Sequence, residues 1–326
     1  MTGPPALVTR RLPAGPMEAI LAKCDADVWE GPPEAIPRDE LLRRVAGKHG
    51  AITLLTERVD AELLDAAGPD LKVVANYAVG FDNIDVEECT RRGVVATNTP
   101  DVLTETTADL AWSLLMAAAR RIAEGDRFLR GGTPWIWGPE MMLGQDVHGA
   151  TLGIVGFGRI GQAVARRGLG FGMRPIYFDL FRPPEQVERE LRAEYREFDD
   201  LLAEADFISI HVALTPETHH LFSTEQFRRM KRTAVLVNTA RGPVIDEAAL
   251  AEALEAGEIF GAGLDVFERE PEVHAGLLRQ DGAVVVPHLG SATVATRDAM
   301  GMLAAENLIA VLEDRRPPTP LNPDVL

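Results

Sequence analysis

Three side chains in the second half of the chain are of types that move protons and hold anions, and each follows a short apolar run. Arg241 comes after Val235-Leu236-Val237-Asn238-Thr239-Ala240, Glu270 after Leu264-Asp265-Val266-Phe267, and His288 after Val284-Val285-Val286-Pro287. A histidine exchanges a proton near neutral pH. A carboxylate beside it favours its protonated form, and an arginine stays charged and offers a planar fork of donors to a carboxylate. Taken singly, each is an ordinary solvated charge or a structural hydrogen-bonding group. At the carboxyl ends of strands in one open α/β sheet they would face a common ligand crevice.

A second pattern supplies the ligand for such a crevice. Leu152-Gly153-Ile154-Val155-Gly156-Phe157-Gly158-Arg159-Ile160-Gly161 follows an apolar strand candidate and opens a helix, which is the context that a dinucleotide fingerprint requires. Gly156 permits the tight turn, Gly158 lets a pyrophosphate approach the backbone, and Gly161 allows close helix–strand packing. Phosphates then meet the first turn of the helix, at Arg159 and Ile160, where free N–H groups and the positive dipole end lie. Asp179 ends the next strand candidate, roughly twenty residues on, where a carboxylate bonds the adenosine ribose 2′-OH and repels a 2′-phosphate. NAD is therefore favoured over NADP, with Arg182 three residues further acting in the opposite sense.

The elements that must position these groups alternate in type. Strand candidates at 7–9, 51–55, 71–75 and 94–96 are interleaved with helical patterns at 16–23 and 60–67; a second series at 151–155, 174–179, 206–212, 233–238, 260–266 and 283–287 follows. Strands alternating with helices predict parallel sheets covered on both faces. Long helical patterns at 104–129 and 293–314 are expected to join two such units. The first starts at threonines that cap it and stops at Gly131-Gly132. The second would return the chain to the first unit, so the expected domains are 1–103 with 292–326, and 104–291.

Composition narrows the class. At 326 residues, with 46% hydrophobic and 25% charged residues, the chain has the make-up of a globular protein of two domains. A net charge of -17 argues against nucleic acid or an acidic membrane surface as partner. Cys24 and Cys89 sit in no metal or redox spacing and fit a reducing compartment. Met1 to Gly15 has no apolar leader core, and Leu110 to Ala119 is too short to span a bilayer. A cytoplasmic location, with no metal and no membrane, is expected.

The motifs around the three charged residues then resemble a known family. Asn238-Thr239-Ala240-Arg241-Gly242-Pro243-Val244-Ile245-Asp246 is similar to the arginine signature of the D-isomer-specific 2-hydroxyacid dehydrogenases. Asp265-Val266-Phe267-Glu268-Arg269-Glu270-Pro271 resembles their glutamate motif and Pro287-His288-Leu289-Gly290-Ser291-Ala292-Thr293 their histidine motif. The resemblance runs from Val8-Thr9-Arg10 to Leu321-Asn322-Pro323. It implies two doubly wound parallel-sheet domains, a Rossmann NAD-binding domain inserted in a discontinuous flavodoxin-like substrate domain. It also implies roles: Arg241 pairs with the substrate carboxylate and keto oxygen, His288 gives a proton to the carbonyl oxygen as hydride arrives from NADH, and Glu270 orients the imidazole. Tyr77 to Asp85 resembles the family loop whose backbone N–H groups bind the substrate carboxylate, with Val79 and Gly80 the matching residues and Leu55 an apolar wall. Asp265 would bind the nicotinamide carboxamide, and Thr107, Thr239, Ala240 and Gly290 would line the cofactor. His211 has a family counterpart near the adenosine side and reads equally as a structural histidine.

Within the family the nearest likeness is to glyoxylate/hydroxypyruvate reductases, through Thr97 to Asp109 and Trp137-Gly138-Pro139 ahead of Leu143-Gly144. It implies a homodimer in which Trp137 reaches the partner subunit's site and makes a small apolar pocket for two- and three-carbon keto acids. Alternatively Trp135 and Trp137 only bury area between subunits, and the two long helices offer apolar surface for the same contact. Pro134 stands where the subgroup has a further tryptophan, Ala213 replaces a common proline, and Leu180 stands where NADPH-using members place an arginine. The expected reaction is reversible reduction of small 2-keto acids to D-2-hydroxy acids. D-3-phosphoglycerate dehydrogenase and a non-catalytic NAD-sensing regulator are the alternatives.

Overall fold

The structure is a computed structural model that describes residues 3–32 and 35–326. Met1 and Thr2, where the segment read for a leader begins, lie outside them. The chain divides into two compact units, Met1–Leu103 with Thr293–Leu326, and Thr104–Ala292.

In the first unit β1 (Pro5–Val8), β2 (Asp25–Val28), β3 (Gly50–Thr53), β4 (Val73–Asn76) and β5 (Val95–Thr97) form one parallel sheet in the order β2-β1-β3-β4-β5. Successive side chains of a strand point to opposite faces. Leu7, Ala51, Val74 and Ala96 accordingly join Leu41, Val45, Leu63 and Cys89 of the helices on one side. The helix Val294–Leu312 covers the other side, against β3, β4 and the helix Ala14–Lys23.

The second unit carries β6 (Thr151–Val155), β7 (Arg174–Phe178), β8 (Glu194–Tyr195), β9 (Phe207–Ile210), β10 (Val235–Asn238), β11 (Gly261–Leu264) and β12 (Ala283–Val285). They lie parallel in the order β12-β11-β10-β9-β6-β7-β8. The chain winds outward from β6 through β7 and β8, then resumes at β9 on the other side of β6. The strand order therefore reverses between β6 and β9, where open α/β sheets bind ligands. Strand interiors are near-continuously apolar because both faces are covered. Ile154, Tyr177, Phe207 and Val235 serve one core; Val155, Ile176, Ile208 and Leu236 serve the other.

The expected parallel α/β architecture is present, with differences in detail. The helical pattern 104–129 is broken at Arg121, whose φ of 53° is left-handed, into Thr104–Ala119 and Ile122–Arg130. The first part is not a bare connection between units, nor a free apolar surface. Ala108, Ala111, Leu114, Leu115 and Ala118 are buried inside the second unit, against β10 and β11. Val294–Leu312 likewise spends Met300, Ala304, Leu308 and Val311 on its own unit. The expected strands 206–212, 260–266 and 283–287 stop early, at Ile210, Leu264 and Val285, because the residues after them turn away to build loops. β2 and β8 are edge strands too short and too polar to announce themselves. Among the described residues no helix is long and apolar enough to cross a membrane, and no His, Cys, Asp or Glu cluster could hold a metal.

Close packing of the helix Thr104–Ala119 on β11 depends on Gly263. A Cβ there would stand 2.8 Å from Leu114 Cβ and 3.2 Å from the Leu114 carbonyl. Gly263→Ala should cost about 1–3 kcal/mol of unfolding free energy in urea. A cost under about 0.5 kcal/mol would mean that the helix yields to the methyl group.

Candidate active site

The glycine loop after β6 has the shape of a phosphate cradle. Gly156 has φ 94°, and a Cβ there would stand 2.6 Å from the His211 carbonyl carbon, so backbone of β6 and β9 meets at the switch point with no room for a side chain. A Cβ on Gly161 would press to 2.2 Å from the Gly156 oxygen, whereas one on Gly158 would meet nothing within 4 Å. Packing therefore demands two of the glycines, and the third faces open space at the start of the helix Arg159–Gly170. That is the geometry that a pyrophosphate needs.

Asp179 follows β7 as expected, but its carboxylate already has work within the loop. Oδ2 accepts from Phe157 N at 2.6 Å and Oδ1 from Phe181 N at 3.0 Å. Each oxygen retains a second lone pair for a ribose hydroxyl. Arg182 is turned to other partners, 3.3 Å from Glu188 and with its guanidinium 4.7 Å above the Tyr195 ring. It is thus occupied rather than poised to offset Asp179. His211 is neutral: burial pushes its pKa down to about 3, and Nε2 lies 2.8 Å from Ser209 Oγ.

The expected triad assembles within the same unit. His288 Nδ1 lies 2.9 Å from Glu270 Oε2 and 3.2 Å from Oε1, and Glu270 Oε1 also accepts from Phe267 N at 3.2 Å. Burial works against the charge of Glu270. The hydrogen bond and charge of His288, the N–H of Phe267 and the Arg241 guanidinium outweigh it and hold the carboxyl below the usual range. Arg241 donates from Nη1 to the Ala240 carbonyl at 2.9 Å.

Asp265, directly after β11, is 1% exposed and receives Leu289 N at 2.5 Å and Gly290 N at 2.8 Å. Thr107 Oγ1 donates to the Gly290 carbonyl at 3.1 Å. The Thr239 hydroxyl is buried and has no partner among the described residues, which is how a polar ligand contact looks before the ligand arrives. These residues fit a nicotinamide dinucleotide. Asn238 is a contributor that the sequence reading quoted without a role: Oδ1 accepts from Ala240 N and Nδ2 donates to the Arg241 carbonyl, each at 2.9 Å. Its signal was a lone amide ending the apolar run of β10.

Leu55, Val79 and Gly80 belong to the first unit. There the Val79 and Gly80 carbonyls are held by Asn98 at 2.8 Å and Asn76 at 3.0 Å. Trp137 is 77% exposed in a stretch without regular structure after Arg130.

Burial pushes the Asp265 carboxyl up to about 6 against the two N–H groups and the charge of His288, with Glu270 adding to the rise. The folded state thus binds this proton more tightly than the unfolded chain. The associated stability is complete below the ordinary aspartate range and is lost as pH rises through about 6. Urea midpoints of the native protein should therefore fall relative to those of Asp265→Asn between about pH 4 and about pH 7. A difference flat in pH would show that the carboxyl is not raised.

Comparison with known proteins shows the family. Residues 112–290 match the D-isomer specific 2-hydroxyacid dehydrogenase, NAD binding domain. A glyoxylate reductase of Thermococcus onnurineus is 52% identical over 99% of this chain and 97% of its own. The structure of a glyoxylate reductase from Paecilomyes thermophila aligns with a TM-score of 0.88 at 33% identity, covering 99% of both chains. An NADPH-dependent glyoxylate/hydroxypyruvate reductase from Sinorhizobium meliloti aligns at 0.82 and 33% identity, covering 98% of this chain and 97% of that one. A glycine loop at the sheet's switch point, in one unit with a histidine–carboxylate pair and an arginine, thus occurs in a chain that belongs to the D-isomer-specific 2-hydroxyacid dehydrogenases, NAD(P)-dependent enzymes that interconvert 2-keto and 2-hydroxy acids.

Proposed function

We propose that this enzyme reduces glyoxylate and hydroxypyruvate to the corresponding 2-hydroxy acids, with NADH preferred to NADPH and with His288, Glu270 and Arg241 as its catalytic residues. The observation that carries the mechanism is the His288–Glu270 pair at 2.9 Å, beside Arg241 and in one unit with the cradle. The relatives named glyoxylate reductase support the substrate class.

A reduced nicotinamide bound in the second unit supplies the hydride for the keto carbon. The chain's own groups do the rest. Glu270 takes Nδ1 of His288, so Nε2 is the nitrogen left to hold a proton for the keto oxygen. Arg241 stays charged throughout and receives the carboxylate and keto oxygen of the substrate. Thr107, Thr239, Ala240, Asp265 and Gly290 hold the nicotinamide end, while Gly156, Gly158, Arg159, Ile160, Gly161 and Asp179 hold the pyrophosphate and adenosine end. In the oxidative direction His288 takes the proton back.

The functional unit we propose is a cytoplasmic homodimer. Trp135, Ile136, Trp137 and Leu143 are 53%, 91%, 77% and 60% exposed along one segment, and a second copy of the chain is the occupant that would cover them. Trp137 would then narrow the partner subunit's pocket. Cys24 and Cys89 are buried and unbonded, as suits a reducing compartment.

A spectrophotometric NADH assay with glyoxylate, hydroxypyruvate, pyruvate and phosphohydroxypyruvate should give the highest kcat/KM with one of the first two. Preference for phosphohydroxypyruvate, or NADH binding without turnover of any of them, overturns the reading. His288→Ala should lose about 10²–10⁴-fold in kcat with NADH affinity retained; near-native turnover would reject it as the acid. NADH should exceed NADPH in kcat/KM, and the reverse order would refute the role given to Asp179.

A further inference from the structure

We propose that Glu247 is a positioning residue, whose carboxylate forms with that of Glu268 a reciprocal clasp between the segment that carries Arg241 and the loop that carries Glu270. Glu247 is 6% exposed and starts the helix Glu247–Glu255. Its Oε1 accepts from Glu268 N at 2.6 Å and its Oε2 from His274 N at 3.0 Å. In return Glu268 Oε1 accepts from Glu247 N at 2.7 Å. Glu270 lies between the two backbone groups that Glu247 holds. The intervening chain reverses tightly, with Glu272 N on the Arg269 carbonyl at 2.8 Å.

The two segments also touch near their other ends. A Cβ on Gly242 would stand 1.9 Å from the Phe267 carbonyl carbon, so the backbone after Arg241 lies directly on the root of the Glu270 loop. Gly242 and Glu247 therefore fix the Glu270 loop against the Arg241 segment at two places. A purely local role for Glu247, as a negative charge on the helix dipole, leaves these bonds unexplained. Asp246 already caps that helix by accepting from Ala249 N at 3.0 Å, and both oxygens of Glu247 leave the helix for another loop. Only an acceptor with two oxygens can take both N–H groups; glutamine would turn an NH₂ toward one of them.

The titratable groups around the clasp are His220, with Nε2 3.3 Å from Glu268 Oε2, and Asp246, which accepts from Ser223 Oγ at 3.1 Å. Those around Glu270 are His288, Arg241 and Asp265. The inference rests on the proposed role of Glu270 in orienting His288.

The test compares the full-length native enzyme with Glu247→Ala, Glu247→Gln, Glu270→Gln and the double variant Glu247→Ala/Glu270→Gln. The assay is NADH-dependent reduction of glyoxylate or hydroxypyruvate, whichever the native enzyme turns over faster. Glu247→Ala should lose about 10- to 100-fold in kcat with the NADH Kd, read by fluorescence, within about twofold of native. The high-pH limb of its kcat/KM profile should move to lower pH, as in Glu270→Gln, and Glu247→Gln should recover part of the loss. Because Glu247 acts through Glu270, the double variant should be no slower than Glu270→Gln alone. Losses that multiply, or an unmoved limb in Glu247→Ala where Glu270→Gln moves it, overturn the clasp and leave the role of Glu270 intact. A native-like profile in Glu270→Gln itself overturns that role, and the clasp with it. Should Glu247→Ala not fold, Glu247→Gln and Glu268→Gln carry the same comparison.

Discussion

The two carboxylate oxygens of Asp265 take the N–H groups of Leu289 and Gly290 at 2.5 and 2.8 Å, its carbonyl takes that of His288 at 2.9 Å, and the rest of the candidate site depends on these three bonds. They tie the end of β11 to the exit of β12. His288 sits there at φ 51°, a left-handed conformation that costs a non-glycine residue roughly 1 kcal/mol or more. Without the bonds, the chain after β12 would have no reason to hold that turn or to aim the imidazole at Glu270. A buried carboxylate is itself costly unless it is hydrogen-bonded, so the bonds that place His288 also make Asp265 tolerable where it is. Thr107 extends the same network through the Gly290 carbonyl.

The same logic recurs along the sheet. β9, β10 and β11 are apolar strands covered on both faces, and polar residues intrude within one residue of their carboxyl ends as Ser209, Asn238 and Asp265. Each is buried and each spends its hydrogen bonds on the loop that follows it or on its neighbour: Ser209 on His211, Asn238 on Ala240 and Arg241, Asp265 on Leu289 and Gly290. Buried polar groups must find partners; Asn238 and Asp265 find them in the backbone of the loops, and Ser209 in the His211 ring. The loops are therefore fixed by the sheet they rise from, which is how side chains far apart in sequence acquire a defined mutual geometry.

Much of this was legible beforehand because it rests on local signals. Gly156 to Gly161 declared a strand, a tight turn and a helix by spacing alone, and the apolar runs before Arg241, Glu270 and His288 placed them at strand ends. What stayed hidden depends on contacts between distant segments. β8 has two residues and one neighbour, so no periodicity could show it. The break at Arg121 falls inside a pattern that is helical on both sides, and only the left-handed residue separates a buried helix from an exposed one. Glu247 reads as an acidic first-turn residue of an ordinary helix. Its partners at 268 and 274 belong to another loop, and no spacing rule links them.

Asp179 shows where reading a residue by motif position stops short. By position it reads as a ribose ligand, and in the structure it is part of the glycine loop, since its bond to Phe157 N closes the turn between Gly156 and Gly158. Its bond to Phe181 N shapes the segment that leads to Arg182, which is itself occupied by Glu188 and Tyr195. With Asp179 in the proposed role, discrimination between the two nicotinamide cofactors would be joined to the shape of the cradle. A carboxylate that only repelled a 2′-phosphate could be exchanged for a neutral residue at little structural cost. Here that exchange would also release the Phe157 N–H and slacken the turn that presents backbone to the pyrophosphate, so opening this site to NADP would require a new acceptor for Phe157 as well as a cation.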